Sequence, residues 1–67
     1  MDIQKRLAKN LRAIRHEAGW SQEDLALEAG IHRTYISDLE RGARNPSITI
    51  IEKLAKTLEV KPGALLD

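Results

Sequence analysis

Gly30 lies between two short helical segments, and that placement restricts the fold more than any other feature of the chain. Residues 22–29 and 33–40 are each long enough for only about two helical turns. Two helices this short, joined by so tight a turn, must cross steeply. The joint needs a residue that accepts positive φ, which glycine does without a Cβ penalty. Close crossing needs a small residue on the earlier helix, and Ala26 supplies it. Leu25, Ala29, Ile31, Ile36 and Leu39 are apolar at the positions that seal the corner. Together these features predict a helix-turn-helix, a motif whose later helix can enter the major groove of DNA.

The rest of the chain follows the same helical period. Ile3, Leu7, Leu11 and Ile14 share one face of a first helix over about residues 2–18, and Gly19 stops it. Ser21-Gln22-Glu23-Asp24 opens the second helix, with Ser21 as cap and Asp24 placed to reach back. Trp20, just before that cap, can staple onto Leu25. The second helix ends at Gly30, and a third over 33–40 is closed by Gly42. After the turn Asn45-Pro46-Ser47 comes a fourth helix, 48–58, with the stripe Ile48, Ile51, Leu54, Ala55 and Leu58. Pro62 suits the first turn of a brief last helix that carries Leu65 and Leu66. No strand alternation or internal repeat appears. The expected architecture is all-α, a compact five-helix domain of residues 1–67.

At 67 residues such a domain buries only about 60% of its unfolded surface. No cysteine is present, so neither a disulfide scaffold nor a thiolate zinc site can stabilise it. No apolar run approaches the roughly 20 residues of a membrane span, and the opening residues lack the apolar core of a signal peptide. The expectation is a soluble, cytoplasmic chain. Its net charge is only +1, but the charge is segregated. Residues 1–16 carry an excess of four positive charges, and residues 17–30 an excess of four negative ones. Arg33, Arg41 and Arg44 then stand against Asp38 and Glu40. A nucleic-acid binder needs a basic face rather than a high total.

Taken together, several short stretches carry a resemblance. Arg15, Gly19, Ser21-Gln22-Glu23, Leu25-Ala26, Gly30, Tyr35-Ile36-Ser37, Leu39-Glu40-Arg41-Gly42, Asn45-Pro46-Ser47 and Lys53-Leu54-Ala55 are all part of it. In these residues the chain resembles the Cro and phage-repressor family of helix-turn-helix proteins, the XRE family, with a lambda-repressor-like fold. The stretch His32-Arg33-Thr34-Tyr35-Ile36-Ser37 is similar to that of controller proteins of restriction-modification systems.

The resemblance implies a role for each matching position. Arg33, Thr34, Ser37 and Asp38 are expected on the outward face of the recognition helix. Arg33 there can pair with guanine O6 and N7, and Thr34 can offer its methyl to thymine or its hydroxyl to a base or phosphate. Asp38 either accepts from a cytosine amine or pairs with Arg41. Gln22, Tyr35, Arg41, Arg44, Asn45 and Ser47 are expected to contact phosphates, which position the protein without reading sequence. Tyr35 has packing on a neighbouring helix as its alternative. Arg15 and Glu40 match a structural ion pair between the first helix and the end of the third. His32 departs from the pattern, because a Ser, Thr or Asp cap is usual there.

The expected function is that of a sequence-specific transcriptional regulator, of the restriction-modification controller or phage repressor type, acting on double-stranded DNA of a prokaryotic cell or phage (nucleoid-associated in that sense). One recognition helix reads few bases, so a homodimer on a palindromic operator is expected, with half-sites about 34 Å apart. Ile50, with Leu65 or Leu66, is the expected dimer contact. No cofactor, metal or small-molecule ligand is expected. His16 and Glu17 begin like a zinc-protease motif, but Trp20 stands where the second histidine belongs, so an enzyme is not expected. The alternative is an antitoxin that binds a toxin protein as well as DNA.

Overall fold

In the computed structural model, described over residues 2–67, five helices follow in order: α1 (Ile3–Glu17), α2 (Gln22–Ala29), α3 (Arg33–Glu40), α4 (Ile48–Leu58) and α5 (Pro62–Leu66). No strand occurs among the described residues. Three helices begin on a side-chain oxygen that accepts an otherwise unpaired first-turn N–H. Asp2 accepts from Gln4, Ser21 from Asp24 and Ser47 from Ile50, at 2.9, 2.9 and 3.2 Å. His32 precedes α3 with extended backbone and makes no side-chain cap bond.

Four of the helices end in the same way. The N–H of Trp20, Ile31, Ala43 and Val60 donates to the carbonyl five residues earlier, that of Arg15, Ala26, Asp38 and Ala55, at 2.9–3.0 Å. Each closure wraps a residue of positive φ, as a Schellman ending requires. Gly19, Gly30 and Gly42 fill three of those positions, and Glu59, at φ 58°, fills the fourth.

The helices enclose one core. α1 packs on α3 and α5, α2 on α3 and α4, and α4 on α5. Each supplies at least one fully buried side chain: Leu11, Leu25, Ile36, Leu39, Leu54 and Leu65. Burying each contributes roughly 1.5–3 kcal/mol. Ala26, nearly buried, sits where α2 crosses its neighbours, and Trp20 packs against the edge of the core.

Three expectations need correction. Ile3 and Ile48 were placed in apolar stripes, yet they are 54% and 87% exposed. Both are the first residue of their helix, beyond the last packed layer of the core. Leu65 was assigned to a dimer contact, yet its exposure is 0%. It is the residue that anchors α5 inside its own chain, so it has no surface to offer a partner.

Candidate nucleic-acid interface

The site is built on a buried ion pair. Arg15, on α1, and Glu40, at the last position of α3, have side chains only 9% and 5% exposed. Arg15 Nε donates to Glu40 Oε2 at 2.6 Å and Nη2 to Oε1 at 3.0 Å, a two-point fork. Arg15 Nη1 donates to the Trp20 carbonyl at 2.8 Å. The Gln22 amide donates to Glu40 Oε1 at 3.0 Å. Four pieces of the chain thus meet at this ion pair: α1, the loop after it, the start of α2 and the end of α3. No buried side-chain polar atom among the described residues lacks a partner. Burial pushes the Glu40 carboxyl up, but the hydrogen bonds from Arg15 and Gln22 and the Arg15 charge outweigh it and hold the group below its usual range. The hydrogen bond to Glu40 holds the Arg15 guanidinium more firmly protonated than usual.

This clamp sets the angle of α3 against the rest. Ile36 and Leu39 point α3 into the core, which turns Arg33 and Thr34 out to solvent and leaves Ser37 and Asp38 half-buried beside them. The residues expected to meet bases therefore share one face.

A second cluster lies at the far end of that face. Asp38 Oδ1 accepts from Arg41, and Oδ2 accepts from Arg44 at 3.3 Å. The Arg44 guanidinium lies 4.4 Å from the centroid of the Tyr35 ring, a cation–π stack. The hydrogen bond from Arg41 holds the Asp38 carboxyl below its usual range. Of the two roles open to Asp38, pairing is the one its geometry displays. Tyr35 is half-buried against the core with Arg44 over its ring, so it serves as a platform.

The residues expected on phosphates divide into three groups. Arg41, Arg44 and Asn45 are exposed just after α3. Ser47 is exposed too, but its hydroxyl is occupied in capping α4. Gln22 forms the third group, tied to the buried pair. One N–H of its side-chain amide is held by Glu40, which leaves the second N–H and the first-turn N–H groups of α2 for a phosphate. The Gln22–Glu40 bond joins residues 18 apart and has no local sequence signal. The Asp38–Arg41 pair, three residues apart at the end of α3, was legible in advance.

Next to Asn45, the side chains of Ile3, Leu7, Pro46, Ile48, Ile51 and Leu66 line a shallow apolar groove of about 180 Å³. Ile50, expected at a dimer contact, is half-buried and packs against the core edge, and Leu66 is also half-buried.

The comparisons with known proteins agree with this geometry. A family described as helix-turn-helix matches residues 11–65. The control protein C.BamHI of Bacillus amyloliquefaciens is 49% identical over 67 residues, across 98% of this chain and 83% of that protein. Among solved structures, the restriction-modification controller protein C.AhdI of Aeromonas hydrophila superposes with a TM-score of 0.90 at 40% identity, covering 92% of this chain and 94% of that one. The restriction-modification controller protein C.Esp1396I, solved as a tetramer in complex with its natural 35 base-pair operator, gives 0.87 at 37% identity over 97% and 86%. The chain belongs to this helix-turn-helix family. Its relatives named here are controller proteins, and none of them supports the antitoxin alternative.

Proposed function

We propose that the protein is a sequence-specific DNA-binding transcriptional regulator of the restriction-modification controller type, acting in the cytoplasm as a homodimer without catalysis of its own. The observation that carries this is the outward face of α3. Arg33, Thr34 and Ser37 stand together on a helix whose angle is fixed by the buried Arg15–Glu40 pair. A rigid helix with its polar face outward satisfies the main requirement for reading base edges. In this reading Arg33, Thr34 and Ser37 meet bases. Arg41, Arg44, Asn45 and the N-terminal turns of α2 and α4 meet phosphates.

For the dimer, Ile50 and Leu66 form the contact, and Ile48 joins them. Ile48 is 87% exposed and borders the same apolar groove as Leu66. A two-fold axis through that region would present two copies of α3 to one side of a duplex. Ile50→Asp is expected to give a folded monomer that binds its operator weakly; sedimentation of the variant as an unchanged dimer would reject the placement.

The function is tested by selecting binding sites from a random duplex library. A palindromic consensus is expected, bound with an affinity that falls steeply with salt as phosphate contacts release counterions. Recovery of no consensus would reject sequence-specific binding.

A further inference from the structure

Asp38 is an unusual residue for a face that meets a polyanion. It lies one turn beyond Thr34 on α3 and next to Ser37, with a side chain 17% exposed. Its two oxygens hold two different arginines, one on each. Arg41 extends from the helix end and Arg44 from the loop three residues on, and Arg44 is also seated on Tyr35. The carboxylate cancels one of the two positive charges. It also ties two long side chains, otherwise free to search many rotamers, into one arrangement.

We infer that Asp38 is a specificity-determining positioning residue, which acts through Arg41 and Arg44 by holding them in the one arrangement that suits a single phosphate register. This rests on the reading of α3 as the DNA-facing helix. Binding to arbitrary DNA draws nearly all its energy from phosphate neutralisation. Freed arginines would follow phosphates wherever the duplex places them, so arbitrary DNA gains fully from their release. At the operator the duplex is already in register. Release there adds charge but discards the prior ordering of the two side chains, and the two effects oppose each other. Asp38 therefore weakens binding everywhere and weakens it least at the right site.

The test compares the full chain and its Asp38→Asn variant by fluorescence anisotropy. The probes are a duplex bearing the consensus selected by the unaltered protein and a scrambled duplex of the same composition, over a series of salt concentrations. The expected result is a several-fold gain on scrambled DNA, a smaller change on the consensus, and so a reduced ratio between them. Each arginine released adds about 0.9 to the salt slope, so the slope on scrambled DNA should steepen by about 1–2. The same substitution in an Arg41→Gln, Arg44→Gln background should have no effect on that ratio, since nothing is left to release. An equal gain on both duplexes, a loss on both, or a gain that persists in the double-glutamine background would each overturn the proposal. The last would reduce Asp38 to plain repulsion of phosphate. Failure of the unaltered protein to select any consensus would overturn the DNA-binding reading itself, and is seen before any variant is made. Circular dichroism on each variant separates these outcomes from loss of fold.

Discussion

At the scale of single residues, Arg33 and Glu40 have opposite demands placed on them. Arg33 is exposed and, among the described residues, makes no hydrogen bond or ion pair to another side chain, so its replacement should leave the fold unchanged. Arg33→Ala should relax the preference at one base position in each half-site, worth about 1–3 kcal/mol, while the rest of the consensus survives a new round of site selection. A uniform fall in affinity with the consensus intact would make Arg33 a phosphate contact instead. Glu40 is the reverse case. Glu40→Ala leaves the Arg15 charge buried without its partner, a loss of about 3–5 kcal/mol. A domain of this size has a total stability of only about 3–10 kcal/mol, so urea unfolding should show a variant at or past the edge of folding. The pH dependence follows from the direction of the shift. The folded carboxylate holds its proton less tightly than the unfolded one, so its contribution is complete above the ordinary glutamate value of about 4.3 and is lost as the pH falls below it through the folded value. Glu40→Gln should flatten that acid limb of the melting-temperature curve; an acid limb of unchanged depth would assign it to other carboxylates, with Asp38 first among them.

At the scale of elements, the helices were legible because their ends are written in local chemistry. Ser21, Ser47, Gly19, Gly30, Gly42 and Pro62 each mark a boundary through one bond or one dihedral angle, and all five helices lie within a residue of where those marks place them. The α4 ending was legible only by its period, because Glu59 takes a positive φ with no glycine to announce it. Glu59→Gly should therefore raise stability by up to about 1 kcal/mol, despite glycine's greater freedom in the unfolded chain. Gly30→Ala runs the other way. No atom within 4 Å opposes an added Cβ, so its cost, about 1 kcal/mol, would be purely conformational. Two helices start without a side-chain cap, α3 and α5, and α5 has Pro62 in its first turn in compensation. His32→Ser would supply the missing cap and should raise the melting temperature, by the equivalent of about 0.5–2 kcal/mol. An unchanged melting temperature would mean that water already serves those N–H groups as well as a hydroxyl does.

At the scale of the whole molecule, the parts that sequence left unread are those where distant segments meet. Periodicity puts Leu65 and Leu66 on the same short helix but cannot say which one faces inward, and α1 decides it. Nor could spacing assign the Gln22 amide to Glu40, or bring Arg44 to Asp38 across a turn. The same long-range assembly ties the two ends of the fold together. From α1, the Arg6 guanidinium donates to the Leu66 carbonyl at 3.3 Å and the Asn10 amide to the Leu65 carbonyl at 3.1 Å, across 60 and 55 residues of chain. α5 is five residues long, too short to persist alone, so these two bonds and its packing on α1 and α4 retain it. It is the segment expected to detach first in a local opening, well below the free energy of global unfolding. In native-state hydrogen exchange the Ala64 and Asp67 amides, whose acceptors lie at Lys61 and Gly63, should then lose protection earliest. With Leu66 at the proposed contact between copies, a second chain would press that segment shut. The exchange rate of α5, unlike that of α2, should then slow as the protein is concentrated, making the last helix a gauge of how much of the population is paired.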